Sequence, residues 1–433
     1  MLHHVIRRTC GAALLCALPF GAFAGPAPDA VQTNWYRLTL ELVRHTPTYT
    51  PPVASRALAY IGIVSYEAAA TGRTDMRSLA GQLNGLTALP ARSDGVHDEA
   101  TIQQSALAHA VKHLFRNTGP TGQRAMAAMD RTLQAGVTAD LPADVATRSA
   151  AYGVAVAQHV LDWAATDGGE VVENLGFPLS YSPAGGPAAW VPTSKVALQQ
   201  APLLPTWGDN RSFAMPEGGC PIPPPPAYSE YPASEFFLQA KEVHDIRVNI
   251  TPDQTATARF WADDAMLSTT PPGHWISIVM QIFERDDTDF AARAAVLARL
   301  GVGMADAFIG TWDAKYEYNL LRPVTYIRRT MDPKWEPVVN TPPFPEYPSG
   351  HSVQSGAAAQ VLTAIYGDGF AFTDATNVAD GPKARDYPDF WTAATEAGMS
   401  RLYGGIHFRA AIDHGLEQGR CIGAFAAALE MTP

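Results

Sequence analysis

The stretch AARAAVLARLGVGMADAFIGTWDAKYEYNLLRP, residues 291–323, decides how the chain folds. Helical periodicity runs through it from Ala291 to Tyr318, giving one buried face along its length. Lys315 and Arg322 follow near its end, a separation of about 700° around a helix and so nearly one face. Pro323 comes next, and a residue before proline is pushed out of helical geometry. Arg322 is therefore expected at a helix exit, its guanidinium free to fork onto an oxyanion.

Outward from this stretch, helical periodicity dominates. On the N-terminal side, 35–43, 54–70, 100–116, 123–135 and 143–165 read as helices; on the C-terminal side, so do 234–243, 253–266, 273–283, 349–365, 388–400 and 407–430. No segment carries a convincing period-2 strand series. Between the two sides, 168–231 has no sustained period, and its run Pro223–Pro226 must be extended. So long a connector is expected to cover a site or wrap a bundle. The expected fold is all-α, in two helical halves with long irregular connections. The N-terminal half is 25–233, including the Pro/Gly-rich connector 168–233, and the catalytic half is 234–433.

The chain has 433 residues, and Lys+Arg 31 against Asp+Glu 42 gives a net charge of −11. Hydrophobic residues at 47% and charged residues at 17% supply ample core and exclude a disordered chain. The acidic balance argues against nucleic acid or an anionic membrane as the main partner. A site for an anion must then be a local concentration of positive charge. At the N-terminus, Arg7 and Arg8, an apolar run over 10–20 and Ala22-Phe23-Ala24 read as a signal peptide ending near Ala24. The mature protein is expected to be exported, periplasmic or secreted, with no membrane span beyond Ala24. Two cysteines remain outside that segment, Cys220 and Cys421; a disulfide and a pair of buried thiols both fit.

Two further elements join Lys315 and Arg322. Pro348-Ser349-Gly350-His351 opens a helix straight after the Pro-rich 341–347. A helix start with Ser and Gly offers a hydroxyl and unpaired N–H groups, an anion-binding arrangement, with His351 placed to give or take a proton. Ser400-Arg401 is followed six residues on by His407, across a bend at Gly404 and Gly405. Lys315, Arg322 and Arg401 would neutralise the oxygens of a tetrahedral oxyanion, Ser349 and Gly350 would donate hydrogen bonds, and His407 would contact the central atom.

Lys-x6-Arg-Pro, Pro-Ser-Gly-His and Ser-Arg-x5-His, in this order over Lys315 to His407, resemble the three-part signature shared by vanadium-dependent haloperoxidases and type 2 phosphatidic acid phosphatases. Weaker similarity reaches back to about Ser234, where Arg259–Asp264 resembles the haloperoxidase segment whose last Asp pairs with the arginine equivalent to Arg401. The resemblance implies two four-helix bundles with the anion site in the C-terminal one. In the haloperoxidases the oxyanion is vanadate, with phosphate as a competing anion. The equivalent of His407 is the single protein ligand to vanadium, and hydrogen peroxide is used to oxidise halide to hypohalous acid. In the phosphatases the matching histidine forms a phosphohistidine, and the Pro-Ser-Gly-His histidine protonates the leaving alcohol. Trp312 and Phe344 match positions where chloroperoxidases and bacterial iodoperoxidases carry Trp and Phe beside the oxidation site. The family often continues His-x3-Asp to orient the histidine, whereas here that position is Ala411. Asp413 is rotated by about 240° and cannot replace it.

The expected function is an exported vanadium-dependent haloperoxidase taking peroxide with iodide or bromide. The alternatives are an exported acid phosphatase acting on a small phosphate ester, and a module that binds phosphate or vanadate without chemistry. An oligomer is compatible with each.

Overall fold

The computed structural model describes residues 25–196 and 199–433. The segment read as a signal peptide, 1–24, lies outside the described residues. Six helices occupy the N-terminal side: α1 (Pro28–His45), α2 (Pro51–Ala70), α3 (Glu99–Leu114), α4 (Pro120–Thr138), α5 (Ala143–Ala164) and the short α6 (Gly169–Glu173). After the connector come α7 (Glu235–Val248), α8 (Pro252–Phe260), α9 (Thr270–Asp286) and α10 (Phe290–Tyr318). Then follow α11 (Pro323–Thr330), α12 (Gly350–Tyr366), α13 (Phe390–Tyr403) and α14 (Arg409–Ala427). The all-α expectation holds, with one small addition. β1 (Phe372–Asp374) and β2 (Arg385–Tyr387) pair antiparallel with Phe372 opposite Tyr387. Three residues are too few to show an alternating pattern in the sequence.

The central element is α10. Asp289 caps its start by accepting the N–H groups of Ala291 and Ala292, and Asn319, left-handed at φ 45°, ends it. It packs against α2 on the N-terminal side and α12 on the C-terminal side. One hydrophobic core therefore runs from Val31 to Met431 across both halves. By length and composition α10 could cross a membrane, which corrects the expectation that nothing beyond residue 24 would. Its apolar window is 83% buried in protein, so its place in the core accounts for that apolarity.

Tertiary contacts override the sequence period in three places. The helix expected to continue to 266 stops at Phe260, because Asp263 turns left-handed at φ 47° to meet His274. The helix expected from 407 starts at Arg409, because the Phe408 N–H goes to the Glu346 carboxylate. Lys315 and Arg322 do not share one helix: α10 ends at Tyr318, and Arg322 is the extended residue (φ −80°, ψ 154°) that opens α11.

The connector wraps the bundle through its backbone. The N–H groups of Phe213, Ala214 and Met215 all donate to the buried carboxylate of Asp306 on α10. Ala189 bridges to Leu320. Cys220 and Cys421 form a disulfide that ties the connector to α14.

The α12–α14 crossing fixes the distance between the two ends of the site, since one helix follows Ser349 and the other follows His407. Gly415, Gly419 and Gly423 face α12 at four-residue steps. A Cβ on Gly419 would lie 2.1 Å from the Val353 carbonyl oxygen, a contact that only backbone movement could relieve. Gly419→Ala is expected to destabilise the protein by about 1–3 kcal/mol, the cost of overpacking. Urea unfolding would show this as a lowered midpoint, whereas an unchanged midpoint would mean that the two helices separate freely.

Candidate active site

The local sequence explains how each side chain arrives. Ser349, extended at φ −71° and ψ 114°, caps α12: its Oγ accepts the Ser352 N–H at 3.3 Å. The N–H of Ser349 donates to the Ala411 carbonyl at 3.0 Å, which docks this cap on α14. Gly350 and His351 form the first turn of α12, where N–H groups have no intrahelical acceptor. Arg401 stands in the last turn of α13. Gly405, at φ 78°, then reverses the chain so that His407 returns beside it.

Gly350, His351, Arg401 and His407 line one cavity of about 360 Å³, together with Asp263, Asp264, Trp312 and Phe344. Phe177, Leu203, Met266, Pro342 and Pro343 supply much of its apolar wall, so the connector contributes to the enclosure. Lys315, Arg322 and Ser349 are fully buried and stand behind that wall rather than in it.

Lys315 Nζ donates to three backbone carbonyls, those of Pro345 (2.9 Å), Glu346 (3.0 Å) and Pro348. That uses every donor of an ammonium group. The expected direct contact of Lys315 with an oxyanion thus requires exchanging one of these bonds. Arg322 donates to the carbonyls of Phe344, Pro345 and Ile406, and its Nη1 lies 3.0 Å from His407 Nε2. A guanidinium nitrogen only donates, so Nε2 is the bare nitrogen of His407. Arg401 donates to the Ala258 carbonyl at 2.7 Å and to Ser400 Oγ at 2.9 Å. The expected Asp264–Arg401 ion pair is not closed: Asp264 is an exposed carboxylate on the cavity wall.

Among the described residues, no carboxylate forms an ion pair with Lys315, Arg322 or Arg401; Glu346 binds His407 instead. Burial pushes Arg322 and Arg401 down to about 10, which leaves both charged at neutral pH. Burial, reinforced by the Arg322 charge, drives Lys315 well below its usual value. Phe344 gives partial compensation, with Lys315 Nζ 5.2 Å and the Arg322 guanidinium 5.1 Å from its ring centre. Trp312 lies against Phe344, ring centres 4.9 Å apart.

Burial pushes His407 well below the ordinary histidine range, and Arg322 and Lys315 act in the same direction. His351 is lowered likewise by burial and by Arg401. Its Nε2 is shielded from solvent and has no partner. A pocket holding this orphan nitrogen, an unprotonated imidazole nitrogen and cations that form no ion pair with a carboxylate fits a tetrahedral oxyanion. His351, His407, Arg401, Lys315, Arg322, Ser349 and Gly350 are the residues that could hold or serve it.

Two groups went unread in the sequence. Glu346 meets His407 Nδ1 at 2.9 Å, supplying the carboxylate that position 411 lacks. The only linear sign of it is a lone acid inside an otherwise apolar Pro-rich run. The second is His274, which bridges Asp263 (2.9 Å) and Asp374 (2.7 Å) in full burial, beneath the stacked ring of Trp261. Burial lowers His274, but the two carboxylates outweigh it and raise it to about 10. The resulting imidazolium holds the 261–269 loop that carries Asp263 and Met266 into the cavity wall.

Residues 295–432 match the family described as the VCPO second helical-bundle domain. The chain is 33% identical over 141 residues to the vanadium chloroperoxidase of Curvularia inaequalis, a match covering 27% of this chain and 23% of that protein. The crystal structure of a bacterial vanadium-dependent iodoperoxidase superposes with a TM-score of 0.86 at 36% identity, over 94% of this chain and 97% of the other. A holo bacterial vanadium-dependent chloroperoxidase shares the fold at a TM-score of 0.68 and 14% identity, covering 94% of this chain and 96% of that one.

The His274 bridge has a defined pH signature. Its folded value lies above the ordinary 6.5, so its stabilisation is complete below about pH 6.5 and is lost as pH climbs through about 10. His274→Gln is expected to cost about 3–5 kcal/mol at pH 6, as for a buried ion pair that loses one partner. Measured by denaturant unfolding, the gap between wild type and variant should shrink steadily toward pH 10. A gap independent of pH would mean that His274 is not charged in the folded protein.

Proposed function

Since the chain belongs to the vanadium haloperoxidase family, we propose that it holds vanadate and uses hydrogen peroxide to oxidise halide, iodide or bromide, to hypohalous acid. One observation carries this reading: the unprotonated Nε2 of His407 stands near three buried basic side chains that form no ion pair with a carboxylate among the described residues. A tetrahedral oxyanion would satisfy that charge, and a neutral nitrogen lone pair is what a vanadium centre takes as a ligand. The iodoperoxidase likeness supports iodide as the first halide to try.

The residues divide the work. Arg401 would hold oxyanion oxygens from the cavity wall, and Arg322 would do so by exchanging its bond to His407 Nε2, while Ser349 Oγ and the Gly350 N–H would add bonds at the start of α12. Lys315 contributes its charge through the carbonyl cluster it grips. Vanadate, when bound, supplies the Lewis-acid activation of peroxide. His351, whose burial beside Arg401 favours the neutral ring, would accept a proton at Nε2 from peroxide entering the site and pass it to the oxygen that peroxide displaces. Trp312 and Phe344 give halide a polarisable wall and limit the water beside it. The Cys220–Cys421 disulfide accords with an oxidising compartment, and so with export after cleavage near Ala24.

Purified protein loaded with orthovanadate should oxidise iodide in the presence of peroxide and lose that activity to excess phosphate. His407→Ala should abolish vanadium-dependent turnover. His351→Ala should slow it by about 10²–10⁴-fold with vanadate still bound, the usual range for losing a general acid–base. The same cradle fits a phosphate ester, with His407 Nε2 as nucleophile. If vanadate only inhibits hydrolysis of a phosphomonoester, the acid phosphatase reading takes over. If neither activity appears while phosphate raises the melting temperature, the chain is a binding module.

A further inference from the structure

We propose that Glu346 is the positioning residue for His407, taking over from outside the helix the part that a carboxylate four residues after the histidine would play. The inference rests on His407 being the vanadate ligand. Ala411 occupies that helical position, and its carbonyl is already engaged by the Ser349 N–H at 3.0 Å. Glu346 approaches instead from the Pro-rich segment before α12. Its Oε1 lies 2.9 Å from His407 Nδ1 and accepts the Phe408 N–H at 2.8 Å. The Glu346 backbone is pinned at both ends: its N–H donates to the Leu320 carbonyl at 2.9 Å, and its carbonyl accepts Lys315 Nζ at 3.0 Å. The carboxylate is fully buried, so it does not wander.

The proton inventory then permits one arrangement. Arg322 Nη1, which can only donate, faces Nε2 at 3.0 Å, so the ring of neutral His407 carries its proton on Nδ1. That proton points at Glu346 Oε1. The two contacts fix both the tautomer and the ring plane, and the Nε2 lone pair, held by Arg322 Nη1, is the one an anion's central atom would take over. Glu346 acts through His407 and lines no part of the cavity. A hydrogen-bond partner standing behind a metal-ligating histidine in this way commonly governs metal affinity by about 10–100-fold.

The consequence separates two anions of one shape. Phosphate needs the cations and donors but forms no bond to a ring nitrogen; vanadate needs both. Orthovanadate and inorganic phosphate are titrated into vanadate-free protein by calorimetry, for wild type, Glu346→Gln and Glu346→Asp. Wild type should bind vanadate more tightly than phosphate. Glu346→Gln should weaken vanadate by about 10–100-fold while phosphate binding holds, because phosphate makes no use of the His407 lone pair. Glu346→Asp should recover part of the loss. Equal weakening of both anions would make Glu346 a structural residue only, and a wild-type preference preserved in Glu346→Gln would also overturn the proposal. A wild type that binds vanadate no better than phosphate would instead remove His407 as ligand, and the proposed function with it. Nitrogen-15 NMR of the wild-type histidine ring provides a check that needs no variant: Nδ1 should carry the proton, and a protonated Nε2 would refute the assignment.

Discussion

A guanidinium that meets no carboxylate points at the lone pair of a neutral imidazole, and much of the surrounding architecture follows from keeping that contact buried. Taking Arg322, Lys315 and Arg401 out of water is costly unless polar groups replace it. The chain answers with backbone carbonyls rather than acids: Phe344, Pro345, Glu346, Pro348 and Ile406 all turn their oxygens toward Lys315 or Arg322. Proline is suited to this segment because it lacks an N–H that would itself need an acceptor. Carbonyl dipoles moderate the field without cancelling it, so a net attraction remains for an incoming anion.

The same segment links chemistry to packing. It leads from the end of α11 to the cap of α12, and the cap docks on α14 through Ser349 and Ala411. The glycine face of α14 lets α12 approach at backbone contact distance. His351 and His407 are thereby held on opposite partners of one tight crossing, and their separation is set by backbone rather than by flexible side chains.

What the sequence disclosed and what it hid follow from separation along the chain. The helices were legible because each buries a periodic face, and the Lys-Arg-Pro, Pro-Ser-Gly-His and Ser-Arg-His elements were legible because each is compact and recurs across a known family. The residues of the first kind gather around one cavity and its rear wall. Glu346 escaped notice because its partner lies 61 positions away with no spacing rule to connect them. His274 escaped for the same reason, its two carboxylates lying 11 and 100 positions off. The early end of α8 was hidden too, since it is that distant ion pair which draws Asp263 out of helical geometry. Length and apolarity alone do not separate α10 from a membrane span, because a core spanning both halves needs a helix as apolar as a membrane would.

The cavity has two authors. Its anion-facing groups come from the last hundred-odd residues, whereas Pro47, Pro51, Phe177, Val196 and Leu203, from α2, its approach and the connector, close the apolar side. Reactivity and admission are thus written in different parts of the chain. Grafting another connector onto an unaltered C-terminal bundle would redraw the doorway, changing which molecules gain entry while leaving the reacting centre as it was.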